Sequence, residues 1–183
     1  YRDFIEWGEG ADPDWVRYYV DHSREQIYDW LIDLGVQFSG VESSPGNSAD
    51  RFHQPVGRGI GLVTPVYRAC LERPNVRFAW NTRADALVVR NSRVVGVRTT
   101  DMREQTTGSL EADAVVLATG GFQSNLDLVR EFWPAEFDFP KTILAGSGRH
   151  SIGLGHDMVR KIGGALVKMD YQWNYYSGLP DPQ

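Results

Sequence analysis

Apolar residues near the start of the chain recur with the period of about 3.6 residues that is typical of an amphipathic helix. They are Trp15, Val16, Tyr19, Val20, Ile27, Trp30, Leu31 and Leu34. Asp12 suits the N-cap and Pro13 the first helical position, while Gly35 suits the C-terminal end. The pattern therefore predicts one helix over 13–34, or two helices with a break near His22.

The next region, 36–61, is rich in turn-forming residues, and we expect a loop there. Its last part, RFHQPVGRGIG at 51–61, has glycines at alternate positions, which indicates a close backbone approach or a turn with positive φ. A short helix is expected over 62–72, because Pro74 ends it.

Short runs of β-branched and aromatic residues then predict strands. They lie at 76–80, 86–90 and 94–100. The last two flank Asn91 and Ser92, a spacing that predicts a hairpin with a two-residue turn. A second turn is expected at 106–109.

The sequence ADAVVLATGGF, at 112–122, contains a continuous apolar run that ends in two glycines. Such a run is typical of a strand buried on both faces of a parallel sheet. Ligands of open α/β sheets bind at the carboxyl ends of such strands, where glycine lets a large cofactor approach the main chain. The alternative is a tight strand-to-helix turn in any α/β protein.

Beyond this run we expect helices over 125–132 and from 151 or 153 to 162, and a strand at 165–169. The aromatic cluster at 171–176 is either one wall of a ligand site or interdomain packing.

Composition narrows the classes of function. The net charge of −5 argues against nucleic acid as a partner, and no apolar run approaches the roughly 18–20 residues that cross a bilayer. The single cysteine, Cys70, excludes an internal disulfide and a cysteine-built zinc site; it is compatible with a reducing compartment, and we expect a cytoplasmic protein. The four histidines lack paired metal-ligand spacing, so no metal is expected.

Five segments in order resemble the fumarate reductase/succinate dehydrogenase flavoprotein superfamily, whose relatives include 3-ketosteroid dehydrogenases. The segments are HSREQIYDWLIDLG, RFHQPVGRGIG, NTRADALVV, ADAVVLATGGF and GLGHDMVRKIGGALVKMDY. The resemblance implies an α/β chain with mixed α+β character. It would comprise a partial Rossmann-like FAD-binding domain with a β-hairpin insertion, over 1–165, and the start of a substrate-capping domain, over 166–183.

The resemblance also implies roles for individual residues. Ala84 falls where the family contacts the FAD adenine. The other expected cofactor-binding residues fall on its ribose and pyrophosphate side or at the chain turn beside it: Ala118, Thr119, Gly120, Gly121 and Gly155. His53 and Arg58 fall near the flavin and substrate, although for His53 the favoured interpretation is a loop histidine that hydrogen-bonds to backbone.

Two departures from the family pattern change the expected substrate and contacts. Many relatives have Gly-Asp-Gly where this chain has Gly153-Leu154-Gly155, so His156 or Asp157 is a candidate replacement for the aspartate. Soluble fumarate reductases grip a dicarboxylate with a histidine at the position nearest Tyr175. Tyrosine donates hydrogen bonds to a ketone, so Tyr175 is one tentative catalytic residue. His53, which the resemblance places near the flavin and substrate, is the other. We expect a ring ketone or steroid-like substrate instead of fumarate.

No GxGxxG occurs in the chain, although the family uses this motif to bind the FAD pyrophosphate. We therefore expect an internal piece of a longer enzyme, with sheet edges and apolar faces that favour self-association. The expected function is FAD-dependent hydride transfer at a CH–CH bond of a small-molecule substrate. The alternatives are a fragment that binds no cofactor and has no activity by itself, or a different α/β enzyme that uses the Thr-Gly-Gly turn for another nucleotide.

Overall fold

The computed structural model describes residues 1–44, 47–144 and 148–172, which fall into two compact units, Tyr1–Phe78 and Ala79–Gln183. The first unit contains α1 (Arg2–Trp7), α2 (Pro13–Ser23), a π-helix (Arg24–Asp29), α3 (Trp30–Asp33), β1 (Phe38–Glu42), β2 (Phe52–Pro55) and α4 (Arg58–Leu71). The second contains β3 (Thr82–Arg90), β4 (Arg93–Asp101), β5 (Thr107–Glu111), α5 (Leu126–Glu131) and α6 (Leu154–Lys161). The units divide the chain inside the expected FAD-binding domain, and the expected domain boundary at 165 stays a prediction.

The predicted helix over 13–34 is confirmed as one helical segment that passes from α2 through the π-helix into α3. The Asp12 carboxylate caps it by accepting from the backbone N–H groups of Asp14 and Trp15, at 2.9 and 3.1 Å. The break expected near His22 corresponds to the change from α-helix to π-helix between Ser23 and Arg24. The segment ends where Gly35 takes a φ of 92°, a conformation that glycine adopts without strain.

The region 36–61, which was expected to be a loop, contains an antiparallel pair of strands. The prediction is therefore wrong for β1 near its start and for β2 near its end. Strand β1 pairs with β2 in a register that places Phe38 opposite Pro55, with a bulge before Val41. The turn-forming residues that suggested a loop lie in sequence between Glu42 and Phe52, the residues at which β1 ends and β2 begins.

Helix α4 begins four residues earlier than expected, directly after Gly57, so that Gly59 and Gly61 lie in its first turn. Gly57 at its N-cap has a φ of 81°, and Arg58 has a φ of 55°. The carbonyl oxygen of Val56 lies where a Cβ on Gly61 would stand, so only glycine fits there. The expected close backbone approach and positive φ are both confirmed.

A three-stranded antiparallel sheet, in the order β3-β4-β5, organises the start of the second unit. The predicted hairpin is confirmed, with Asn91 and Ser92 in the left-handed region at φ values of 51° and 60°. The turn expected at 106–109 is wrong, because β5 begins at Thr107. The chain turns just before it, where the Asp101 carboxylate accepts from two successive backbone N–H groups at 2.7 and 2.9 Å.

Three predicted strands do not form in the described part of the chain: 76–80, 114–119 and 165–169. In the second of them, Val115 and Leu117 are half-buried, whereas Val116 is 88% exposed. An apolar run becomes a ladder strand only when a neighbouring strand supplies hydrogen-bond partners, and none of the described strands pairs with these runs. The fold is therefore a mixture of helices and small antiparallel sheets, and the expected burial of 114–119 on both faces is wrong.

The core of the second unit lies where α5 and α6 pack on the residue that follows the two glycines. Phe122, Val129 and Met158 are buried, and Phe132 packs on the Phe122 ring at a centroid distance of 5.8 Å. Both helices confirm the expectations for 125–132 and 153–162. This core fixes the place of the glycine turn. None of the described helices has the length and apolar character that a membrane span requires.

Candidate cofactor site

The centre of the candidate site is the turn at Thr119, Gly120 and Gly121. Gly120 has a φ of 73°, and Thr119 and Gly120 are exposed together with Ala118. The carbonyl of Gly121 accepts a hydrogen bond from the Gly153 N–H at 3.1 Å. Five expected cofactor residues, counting Gly155, thus come together, because this bond ties the turn to the start of α6.

Glycine is required at the start of α6 because the helix approaches the turn so closely. Gly153 caps the helix with a φ of 84°. A Cβ added to Gly155 would overlap the Thr119 hydroxyl oxygen. The bare backbone at both positions brings the free N–H groups of the helix end, which carry partial positive charge, beside the turn. Such helix ends suit anionic groups such as phosphates.

Three further hydrogen bonds hold the segment before α6 against the residues that follow the glycines. The Ser124 N–H donates to the Ser151 carbonyl at 3.0 Å, and the Ser124 hydroxyl donates to the Gly148 carbonyl at 3.0 Å. The Asn125 amide donates to the Ile152 carbonyl at 3.4 Å. The turn and the helix end are therefore a tied unit and do not depend on the Gly153 bond alone.

Ala84 lies in β3, and α6 packs beside this strand. A bulge separates the pair Ala84–Thr99 from the pair Ala86–Arg98, which leaves Asp85 as the extra residue. A bulge locally interrupts the ladder and re-aims the chain. The strand expected to contact adenine thus deviates from regular pairing at Asp85, directly after the residue that the resemblance implicates.

The extra residue of this bulge is fixed by its own carboxylate. Asp85 accepts from the Thr100 hydroxyl and from the Arg83 Nε, each at 2.6 Å. The Thr100 hydrogen bond is the main cause that lowers the pKa of Asp85, and the hydrogen bond and charge of Arg83 add to it. The carboxylate therefore stays ionised and holds the bulge in place.

The two candidates to replace the missing aspartate behave differently. The Asp157 carboxylate lies 2.6 Å from the Lys161 ammonium and 3.4 Å from the Arg160 guanidinium, both on its own helix. These two groups lower the pKa of Asp157, and the hydrogen bond from Lys161 is the largest cause. The Nδ1 atom of His156 is buried and has no hydrogen-bond partner among the described residues, and its ring packs edge-on against Phe122 at 5.6 Å. Neither side chain is thus seen bonded to the glycine turn.

The remaining expected site residues lie elsewhere in the chain. His53 and Arg58 belong to the first unit, in β2 and at the start of α4. His53 is exposed, and its Nδ1 lies 3.0 Å from the Arg51 carbonyl, so the backbone-bonded histidine anticipated from the sequence is present. Tyr175 lies outside the described residues.

Sequence reasoning missed two residues that contact the His53 strand or its ring. Tyr28, in the π-helix, lies 4.9 Å from the His53 ring centroid. The carboxylate of Asp3, in α1, contacts the Arg51 guanidinium. Both are distant from His53 in sequence, and no local pattern of residues indicates contacts of this kind.

An exposed glycine turn tied to a helix end offers bare backbone and partial positive charge to an anionic group, a feature typical of nucleotide-binding proteins, and the fold around it is of the mixed α and β class. Comparison with known proteins identifies the family. Residues 4–180 match the family model described as FAD binding domain. The chain belongs to this family, which confirms the resemblance, the expectation of FAD and, at the level of the family, the expectation of an FAD-dependent oxidoreductase.

Individual relatives agree with this assignment. A KsdD-like steroid dehydrogenase of Mycobacterium tuberculosis is 32% identical and matches 90% of this chain and 33% of its own length. A fumarate reductase (cytochrome) of Shewanella frigidimarina is 31% identical and matches 93% of this chain and 30% of its own length. The structure of the open conformation of a flavocytochrome c3 fumarate reductase matches with a TM-score of 0.69 and 26% identity, over 79% of this chain and 25% of that one. The chain thus spans about a third of the length of these curated relatives.

Proposed function

We propose that this chain contributes the glycine turn, the α6 helix end and the bulged strand to the FAD site of an oxidoreductase that acts on a CH–CH bond. The observation that carries the proposal is the bare, exposed backbone of Gly120, in the turn on which Gly155 packs closely through Thr119. A side chain at Gly155 would strike Thr119, and one at Gly120 would be strained at its φ of 73°. When bound, FAD supplies the hydride chemistry at its flavin ring.

The residues divide the task of holding this cofactor. Thr119 and Gly120, with Ala118, present backbone to the ribose and pyrophosphate side, and Gly121 anchors the turn to α6 through its carbonyl. The helix end adds a favourable field for the phosphates. The backbone at Ala84, directly before the bulge at Asp85, contacts the adenine.

For the substrate, we favour a ring ketone or steroid-like compound over fumarate. Support comes from the aromatic run at 171–176, which is rich in tyrosine and tryptophan and lacks histidine, and from the relative named as a steroid dehydrogenase. Aromatic walls suit large apolar ligands. Turnover by the holoenzyme separates the two classes: oxidation or reduction of ring ketones is expected, and efficient fumarate reduction without activity on ring ketones would overturn this assignment.

The cofactor proposal is tested by FAD binding to the purified chain, followed by flavin fluorescence and by absorbance after desalting. We expect the Gly155→Ala variant to weaken FAD binding about tenfold, because the new Cβ displaces Thr119 and with it the turn that contacts the cofactor; a loss of about 1.4 kcal/mol in binding is tenfold in affinity. Gly148→Ala is the matched control, since a Cβ there meets open space.

A double variant sharpens the test. Thr119→Ala removes the hydroxyl that the new Cβ would strike, so Gly155→Ala is expected to cost far less in that background than in the wild type. Equal losses in both backgrounds would show that Gly155 does not act through Thr119. Retention of no FAD by the wild-type chain would instead support the alternative function, a fragment that binds no cofactor by itself.

A further inference from the structure

Strand β5 forms one edge of the three-stranded sheet, because β4 is its only neighbour among the described strands. All of its residues are exposed. An edge strand offers unpaired backbone groups to a further strand, and proteins commonly protect such edges with proline, bulges or charge. The β1–β2 and β3–β4 pairs each contain a bulge, whereas the β4–β5 pair is regular. Strand β5 has no proline, and its one charged residue, Glu111, stands at its end. The edge is therefore regular and open to pairing.

The register of β5 on β4 determines which of its backbone groups point away from the sheet. The Ala112 N–H donates to the Val95 carbonyl at 2.9 Å, and the Asp101 N–H donates to the Thr106 carbonyl at 2.8 Å. Bonded and non-bonded pairs alternate along an antiparallel ladder. Counted from either of these bonds, the residues of β5 whose N–H and C=O groups point away from β4 are Thr107, Ser109 and Glu111.

The edge is limited at both ends. Gln105, the next outward position before β5, has a φ of 54°, which takes the chain out of the extended conformation. Asp113 is the next outward position after β5, and its carbonyl already accepts from the Arg93 guanidinium at 2.9 Å. The open edge therefore runs over Thr107–Glu111, and Ser109 lies at its centre.

Two copies of this edge match each other about a two-fold axis that passes beside Ser109. In an antiparallel pair centred on Ser109, each Ser109 faces the other, and Thr107 of either copy faces Glu111 of the other. All outward residues then face outward residues, and such pairs exchange two hydrogen bonds each, about six in total. A pair centred on Gly108 or Leu110 forms about four, and a shift by one residue forms none, because outward groups then face inward ones. The pairing with the most hydrogen bonds is therefore the symmetric one.

The side chains agree with this register. Leu110 is 53% exposed, and in the symmetric pair it faces Gly108 of the second copy, which has no side chain to obstruct it. Glu111 faces Thr107, so no like charges are directly opposite, and the Glu111 carboxylate already accepts from the Arg90 guanidinium at 2.8 Å. The two Glu111 residues lie about 14 Å apart along the ladder, which exceeds the Debye length of about 8 Å at physiological ionic strength.

We propose that β5 is a pairing edge at which a second copy of this chain adds its own β5, antiparallel and centred on Ser109, to form one continuous sheet. The occupant is a second copy because the edge complements itself in register, length and charge. Main-chain hydrogen bonds supply the affinity of such strand addition. The interface is short, so the dimer forms at high protein concentration. The proposal does not rest on the proposed function, because β5 is not part of the candidate cofactor site.

Disulfide cross-linking of the full chain tests the register. Cys70→Ser removes the one native cysteine and serves as the background. Ser109→Cys is expected to form a linked dimer on oxidation, because the Cα atoms of a hydrogen-bonded pair lie about 5.5 Å apart, within the range that a disulfide spans. Thr107→Cys is the matched control, since two Thr107 residues lie about 14 Å apart in this register and are expected to link far more slowly. A mixture of Thr107→Cys and Glu111→Cys is expected to link, because these positions face each other.

Sedimentation equilibrium then tests the strength of the pairing. Ser109→Asp places like charges opposite each other at the two-fold axis, while within the chain it lies opposite Arg98, so we expect the dimer Kd to rise about fivefold with the fold intact. Ser109→Asn has the same size without the charge and is expected to stay near the wild type. Ser109→Pro removes an N–H that points away from β4, and we expect it to raise the Kd about tenfold or more. Circular dichroism checks that each variant keeps its fold.

Three results would overturn the proposal. The first is a wild-type chain that stays monomeric at every concentration. The second is an association that Ser109→Asp and Ser109→Asn change equally, because the contact would then lie on another surface. The third is a Ser109→Cys variant that links no faster than Thr107→Cys, because the two strands would then not be centred on Ser109.

Discussion

At the scale of single residues, Asp3 shows how a carboxylate far from a loop in sequence can stabilise it. The backbone hydrogen bond from Ser48 is the main cause that holds the pKa of Asp3 below its ordinary value, and the Ser48 side chain and the Arg51 charge add to this. All of these interactions favour the ionised carboxylate. Asp3 therefore links α1 to the connection before β2 most strongly while it is charged.

This linkage makes a pH prediction. A carboxylate with a lowered pKa stabilises the folded state above its unfolded pKa of about 3.9, and this contribution is lost as the pH falls through the folded pKa. Asp3→Asn has no charge to lose. In urea unfolding we expect the variant to be less stable than the wild type at about pH 7, and the difference to shrink below about pH 4.

A control separates this effect from general acid denaturation. Asp33→Asn makes the same chemical change at an exposed position in α3, and we expect its stability difference from the wild type to stay small over the same pH range. A gap between Asp3→Asn and the wild type that is constant with pH would mean that the lowered pKa does not contribute to stability.

At the scale of elements, the β3–β4 hairpin has a turn in which both residues adopt positive φ, at Asn91 and Ser92. Asparagine tolerates this conformation, whereas serine is strained in it. Ser92→Gly gives the Asn-Gly pair preferred in such turns, and we expect it to raise the free energy of unfolding by about 0.5–1 kcal/mol. Thermal or urea unfolding measures the change.

Ser92→Ala is the matched variant, because it removes the same hydroxyl but keeps a Cβ at positive φ. It is expected to give no gain in stability. If alanine and glycine stabilise the hairpin equally, the gain comes from loss of the hydroxyl, and the argument from backbone strain is wrong.

Elements that depend on neighbouring residues in sequence were predictable. The caps at Asp12 and Gly35, the turn at Asn91 and the glycine start of α6 all follow from the conformational preferences of the residues at those positions. The exposed glycine turn at the end of ADAVVLATGGF was predictable for the same reason, and with it most of the candidate cofactor site.

Elements that depend on distant partners were not predictable from local pattern. The run 114–119 has the composition of a buried strand, yet the described chain supplies no ladder beside it. The pair β1–β2 was hidden because its strands are short and one contains Pro55, a poor strand residue. The π-helix was not predictable for another reason: its residues have ordinary helical character, and the backbone hydrogen bonds that define a π turn leave no local residue pattern.

At the scale of the whole molecule, large apolar side chains are exposed in both units. In the first unit, Trp15 is 71% exposed and Ile60 79%, and in the second Val116 is 88% exposed. Single exposed apolar residues are normal, but tryptophan and long aliphatic side chains exposed to this degree favour association. Strand β5 adds an edge whose residues are all exposed.

We therefore expect the isolated chain to self-associate, with a weight-average mass that rises with concentration in sedimentation velocity. Trp15→Ser and Val116→Ser each remove one exposed apolar side chain without altering a buried contact, so either is expected to lower the associated fraction at a given concentration if its surface takes part. Asp33→Asn, a change at an exposed position in α3, is the control for substitution itself. A monomer at every concentration would count against this prediction. Trp15 and Val116 lie in different units. A lower associated fraction in only one of the two variants would therefore assign the association to the unit in which that variant's residue lies.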